Sequence, residues 1–178
     1  SPLTGALAHS NSGGEFPTWM KRTGFDMFIF EGKSEEPVYV LVNEDQVEVK
    51  SAAYVWGKDT HETTDILKGE TSEEARVACI GPAGENLTLM AAIMNDKHRA
   101  AARSGVGAVM GSKNLKAVVV MGNKNPPLHD PEGMRALSVD TSRNVGADVK
   151  KGSNMRMYGT AYVPQVTNTL GILPTRNF

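Results

Sequence analysis

The sequence predicts an α+β fold, and three observations carry that prediction. Apolar runs of strand length and strand composition stand at residues 25–31, 38–42, 46–51, 76–80 and 118–121. Between the last two lies the stretch 86–103, rich in Leu, Met, Ala and Ile with no Gly or Pro, which is helical by composition. After Asn125-Pro126-Pro127 the strand signals stop and helix-leaning segments remain, which predicts a domain boundary at 126. The expected organisation is a first domain over 1–126 with mixed β-sheet, followed by the start of an all-α domain over 127–178.

Taken in order, residues 1–16 are small and polar, and Asn11-Ser12-Gly13-Gly14 is their most constrained point. Pro17 suits the first turn of a short helix over 17–23, closed by Gly24. Residues 25–31 read as a strand, apolar on both faces at 27–30. The runs 38–42 and 46–51 read as a hairpin with Asn43-Glu44-Asp45 at its tip. Val47 and Val49 alternate with charges, so the second strand is expected to have one wet face. A helix over 60–67 takes Asp59 or Thr60 as cap. His61 and, further on, His98 read as lone histidines with no second ligand at metal spacing. Residues 76–80 read as a buried strand holding Cys79, the chain's one cysteine, as a structural thiol. Beyond the boundary, Asp130 and Pro131 start a helix to about Val145, and 159–169 form a further helix-leaning segment. A weak internal repeat is legible too. Asn11-Ser12-Gly13, Lys21, the run 28–30 and Gly32-Lys33 answer Arg103-Ser104-Gly105, Lys113, the run 118–121 and Gly122-Asn123-Lys124.

The chain is organised around 81–120. The helix expected over 86–103 takes Asn86 as N-cap and Gly105 as stop, with Leu87, Met90, Met94, Lys97 and Ala101 along one stripe. That helix would put Arg99 and Arg103 on one face. Gly105, Gly107 and Gly111 then read as a turn where backbone can approach a ligand. Two guanidiniums beside bare backbone N–H groups make an anion site. The same residues suit a tight helix-to-strand connection with solvated arginines, and composition ranks the two readings level. A P-loop is excluded, since Gly111-Ser112-Lys113 has the wrong order and no Gly precedes it at the required spacing. A dinucleotide fingerprint must follow a strand and open a helix, and the expected order here is the reverse.

The charge count of 19 basic and 20 acidic residues gives no electrostatic case for a nucleic-acid or membrane partner. No apolar run approaches the roughly 20 residues of a bilayer span, and no signal peptide is visible; both point to a cytoplasmic protein. One cysteine excludes an internal disulfide framework and cannot alone hold a metal cluster.

The run NDKHRAAARSGVGAVMGSKNLKAVVV at 95–120 resembles the signature of the aldehyde ferredoxin oxidoreductase family, the tungsten or molybdenum bis-pterin enzymes of anaerobes. The resemblance extends to SPLTG at 1–5, NSGG at 11–14, FIFEGKSEEPVYV at 28–40, GPAGEN at 81–86 and LPTRNF at 173–178. It implies that 1–126 is a bis-pterin-binding domain. It further implies a magnesium ion bridging the pterin phosphates, held by the backbone carbonyls of Asn11 and Ala100. Ser12 stands where the family often has Ala. Arg99 would pair with a phosphate, its register against Arg103 being open. The implied cofactor-binding set is Asn11, Ser12, Gly13, Gly14, Arg99, Ala100, Arg103, Gly105 and Gly107, with no catalytic residue inside the chain.

The ligands of the family's 4Fe-4S cluster would lie outside this chain. The chain then reads as an internal piece of a longer gene product, silent on its own. The implied activity is oxidation of an aldehyde to a carboxylate with ferredoxin as acceptor, in a homo-oligomer or with electron-transfer subunits. The tungsten subunit of an aromatic acyl-CoA (benzoyl-CoA) reductase is the alternative. From another class, a non-redox phosphate- or nucleotide-binding module remains.

Overall fold

The valine-rich runs decide where the sheet lies. A computed structural model describes residues 2, 4–7, 9–44, 46–150 and 154–174, in two units, Ser1–Pro126 and Pro127–Phe178. In the first unit, α1 (Phe16–Arg22) precedes a hairpin of β1 (Val38–Asn43) and β2 (Gln46–Ser51). Next come α2 (Thr60–Glu70), β3 (Arg76–Cys79) and the short α3 (Pro82–Glu85). Then follow β4 (Ile93–Asn95), β5 (Arg99–Ala101), a 3-10 turn (Arg103–Gly105), α4 (Val106–Ser112) and β6 (Leu115–Met121). The strands form one mixed six-stranded sheet in the order β2-β1-β6-β3-β4-β5. β1 and β6 run parallel, and every other neighbouring pair is antiparallel. This is the α+β class that the sequence predicts.

The sheet is buried on both faces at its centre, which is why β1 and β6 read as continuous apolar runs. Side chains alternate between faces with period two. Tyr39, Leu41, Ala117 and Val119 join Leu67 of α2, Val77 and Cys79 in one core. Val40, Val42, Val118 and Val120 join Met110 of α4, and the partly buried Trp19 and Met20 of α1 pack against them. Complete burial of a side chain such as Val119 stabilises by about 1.5–3 kcal/mol.

Several expectations hold. Helix α1 and the first hairpin form where the sequence places them, and Asp59 caps α2 by accepting from the N–H groups of His61 and Glu62. Others are corrected. The 25–31 segment joins no strand. From Met27 to Phe30 its side chains still alternate: Phe28 and Phe30 pack on the core, as Phe25 does, while Met27 and Ile29 are exposed. Alternation marks an extended segment with one dry face, but a strand also needs a ladder partner, and none pairs with it. The two copies of the weak repeat therefore differ, since 118–121 lie in the sheet and 28–30 do not. Strand β2 is a sheet edge whose Val47 and Val49 are both exposed, so it is wet on both faces and not one.

The largest correction concerns 86–103. No helix forms there: the chain turns through Leu87 at φ 58°, then makes the β4–β5 hairpin. The helix of this region is α4, over the glycines expected to be a turn. Helix propensity is a weak prior that tertiary pairing overrides. Here β4 covers the open edge of β3, and the glycines let 84–92 lie directly on α4. A Cβ on Gly107 would stand 2.5 Å from the Ala92 carbonyl oxygen, and one on Gly111 2.7 Å from the Gly84 carbonyl carbon.

In the second unit, α5 (Pro131–Lys150) runs further than expected, and α6 (Asn154–Tyr158), a 3-10 turn (Gly159–Tyr162) and α7 (Val163–Thr169) follow. Residues 175–178 of the LPTRNF motif lie outside the described residues, as do Ser1, Leu3 and Asp45. No described helix is long and apolar enough to cross a membrane.

Candidate functional site

The β4–β5 hairpin gathers most of the residues singled out in the sequence. Its ladder closes with Asn95 opposite Arg99, leaving Asp96, Lys97 and His98 at the tip. Asp96 and Lys97 are left-handed, at φ 49° and 60°, a conformation that costs roughly 1–2 kcal/mol for most side chains and least for Asp and Asn. All three tip residues make contacts outside the hairpin. Asp96 Oδ2 accepts from the backbone N–H of Glu15 at 2.5 Å and of Phe16 at 3.2 Å. Lys97 Nζ pairs with Asp65 of α2 at 2.6 Å. The His98 ring stands edge-on to His61 of α2, centroids 5.4 Å apart.

These contacts bring the 11–14 loop to the hairpin. Buried Asn95 donates from Nδ2 to the Gly13 carbonyl at 2.9 Å and accepts from the Ser12 hydroxyl. Gly14, at φ 93°, lies so close to Asp96 Oδ2 that a Cβ would collide with it, and that Cβ would stand 2.9 Å from Arg99 Cγ. Asn11, Gly13, Gly14, Arg99 and Ala100 are exposed, and Ser12 is half-buried. Beyond the loop, Glu15 pairs with Arg76, whose guanidinium lies over the Trp19 ring.

Two clefts adjoin this junction. One of 620 Å³ is lined by Gly14, Glu15, Asp65, Lys68, Arg76 and the 96–99 side of the hairpin. The other, of 370 Å³, is mostly apolar and runs from Ser10, Ser12 and Asn95 to Phe16, Phe28 and Met110. Among the described residues two buried polar atoms beside the junction have no partner, Ser10 Oγ and Asp96 Oδ1.

The remaining predicted site residues lie differently from expectation. Arg99 opens β5 and Arg103 starts the 3-10 turn, so the two do not share a helical face. Gly105, at φ 70°, caps α4, and a Cβ on it would strike the Leu89 carbonyl. Gly107 donates its N–H to the Ala91 carbonyl at 2.9 Å. Both glycines are needed for backbone packing. Contrary to the expected order, these glycines do follow a strand and open a helix, as a dinucleotide fingerprint requires. The exclusion stands on another ground: the space over Gly105 and Gly107 is filled by the chain's own backbone.

Sequence reasoning missed Asn95 and Asp96 because they sat inside an expected helix. Asn-Asp ahead of Lys is a turn signal, both residues tolerating left-handed backbone. It also missed the His61–His98 contact, which folding alone creates, although no cluster of three or more metal-capable side chains occurs among the described residues. A third omission is Lys116, fully buried on β6, which donates to Glu85 at 2.5 Å and to the Lys58 carbonyl at 2.8 Å. Glu85 in turn accepts from the Gly57 N–H at 2.9 and 3.0 Å. Burial pushes the Cys79 thiol up to about 11, against a smaller opposing effect of its contact with Thr64, as suits a structural thiol.

The model of the aldehyde ferredoxin oxidoreductase N-terminal domain matches residues 1–122. The chain is 44% identical, over its whole length, to a tungsten-containing aldehyde ferredoxin oxidoreductase of Pyrococcus furiosus, and 45% identical to one of Thermococcus kodakarensis. It spans 30% of the length of each. The WOR-like subunit of an aliphatic sulfonate oxidoreductase of Pyrococcus furiosus is 38% identical over 77% of the chain and 24% of its own length. Among solved structures, the active-site complex of a benzoyl coenzyme A reductase with 1,5-dienoyl-CoA superposes with a TM-score of 0.67. The two are 45% identical, and the match covers 69% of this chain and 19% of that one. With two thirds of its length under the N-terminal domain model and whole-chain relatives at this identity, the chain belongs to the aldehyde ferredoxin oxidoreductase family.

Proposed function

We propose that the chain is the cofactor-facing platform of a tungsten bis-pterin enzyme that oxidises an aldehyde to a carboxylate and passes the electrons to ferredoxin. The observation that carries this reading is the tie between the 11–14 loop and the 95–99 hairpin, since it joins the two segments such a cofactor site requires. The relatives named above support the same reading.

The residues present suit the group. β5 is a sheet edge, so alternate backbone groups along it face away from the ladder and are open to a ligand. Backbone carbonyls such as those of Asn11 and Ala100 suit a hard magnesium ion. The exposed Arg99 guanidinium suits a phosphate through paired N–H donors. Asp96 Oδ1 and Ser10 Oγ are polar atoms that a bound cation or N–H group would satisfy. When bound, the tungsten–pterin group supplies the redox chemistry. The chain's residues bind and orient it: Arg99 neutralises phosphate charge, and the 11–14 backbone fixes the ion. Gly105 and Gly107 act from behind, setting the course of the chain after β5, with Arg103 as the second candidate cation. The catalytic groups and the 4Fe-4S ligands belong to parts of the enzyme outside residues 1–178.

A second reading is favoured by one observation, the benzoyl coenzyme A reductase structure at 45% identity. Both readings share this platform. The whole enzyme, purified anaerobically, is expected to hold tungsten and to oxidise aldehydes with a viologen dye as acceptor, without a CoA thioester. Turnover of a cyclic dienoyl-CoA with no turnover of aldehydes would establish the second reading. Metal-free protein carrying nucleotide would overturn both and favour a non-redox binding module.

A further inference from the structure

We propose that Asp96 is a positioning residue that locks the 11–14 loop to Arg99, so that loop and strand meet the cofactor as one preformed surface. The inference rests on the function proposed above and concerns a side chain outside the cofactor set implied there.

The geometry supports this in three ways. Asp96 sits at a left-handed tip position where its backbone carries strain, and such outliers persist only when their surroundings hold them. Its Oδ2 takes the N–H groups of Glu15 and Phe16, the first residues after the loop, at 2.5 and 3.2 Å. The same oxygen fills the space over Gly14 in which a Cβ would stand, beside Arg99 Cγ. Asn95 completes the clamp on the other side of the loop through Ser12 and the Gly13 carbonyl. The loop is thus held at its middle by Asn95 and at its exit by Asp96. Both residues belong to the hairpin that carries Arg99. Lys97 with Asp65, and His98 beside His61, hold the hairpin to α2 without touching the loop.

Asp96→Gly tests the idea cleanly, because glycine removes the carboxylate yet favours the backbone conformation of the tip. Asp96→Asn is the conservative partner, since Asn tolerates the conformation and keeps one acceptor oxygen. Two readouts are taken on the whole enzyme: amide hydrogen exchange of the 11–16 segment in protein produced without tungstate, and tungsten retained in protein produced with it. The expected result for Asp96→Gly is exchange at Glu15 and Phe16 faster by about tenfold, the order of one lost charge-assisted hydrogen bond, with depleted tungsten and unchanged exchange in β1 and β6. Asp96→Asn should restore both readouts. Wild-type exchange in Asp96→Gly overturns the proposal. So does restored exchange with still-depleted tungsten in Asp96→Asn, which would make Asp96 a direct ligand. Absence of tungsten from the wild-type enzyme overturns the underlying function instead, and the exchange readout on metal-free protein keeps that failure distinguishable.

Discussion

The two edges of the sheet are built in opposite ways. β2 is six residues long, exposed at almost every position, and carries Glu48 and Lys50 within 3.4 Å of each other. Its place is set by the β1 ladder. β5 is three residues long, with ties that run from its hairpin tip to the start of α1, through Asp96, and to α2, through Lys97 and His98. An edge that only ends a sheet needs charge to keep other strands away. An edge that presents groups at fixed positions needs anchors outside its own ladder, and the β5 edge has them.

The largest expected effect lies on the strand between the edges. Lys116→Ala would leave the Glu85 carboxylate buried with the Gly57 N–H as its remaining described donor. Removing one partner of a buried pair is expected to cost about 3–5 kcal/mol, read as a lower urea midpoint. Because Lys116 ties β6 to α3 and to the loop before α2, and α3 leads into the β4–β5 hairpin, amide exchange should rise first at 93–101 and last in β1–β2; uniform acceleration would break the comparison. Gly107→Ala comes next, at about 1–3 kcal/mol for an overpacked site that cannot yield easily. It should loosen the β5 side while exchange in the β1–β2 ladder stays as in the wild type.

Acid gives a smaller effect. Its hydrogen bond from the Glu62 N–H, and then that from His61, hold the Asp59 carboxyl below its usual range. A lowered folded-state value means that the stabilisation is complete above about pH 4, the unfolded value, and is lost as pH falls through the folded one. The start of α2, against which the hairpin tip leans, should therefore loosen in acid, and Asp59→Asn should flatten that response. Smallest is the other edge: Val49→Thr, at a side chain 67% exposed, should change stability by less than about 0.5 kcal/mol. A larger loss would mean that the β2 edge is covered.

The legible parts of the chain were those whose signal is local. Val40 to Val42 and Val118 to Val120 announce a sheet buried on both faces, and Asp59 announces a helix start three residues ahead of Glu62. The 86–103 region was not legible because its helix-forming side chains are outvoted by contacts with distant residues. Leu89, Ala91 and Ala92 lie against the backbone of Gly105 and Gly107, and Met94 pairs with Cys79. The candidate site was half legible. The 11–14 loop and Arg99 were singled out by resemblance, but the reason they meet lies in Asn95 and Asp96, which in sequence look like two polar residues on a helix. A glycine also reads alike whether it clears space for a ligand or for the protein's own backbone.

The parallel pairing of β1 with β6 has a consequence for the order of assembly. The strand that completes the centre of the sheet is the last of the six in the chain, and everything from residue 44 to 114 must be made before β1 gains its second neighbour. Contacts so distant in sequence delay folding, because loop closure precedes any gain from pairing. On the ribosome, β1–β2 can form early, while β3, β4 and β5 have no central strand to join until residue 121 has emerged. A nascent chain stalled before Leu115 should hold one hairpin and little else, and release of β6 should trigger the rest in a single cooperative step.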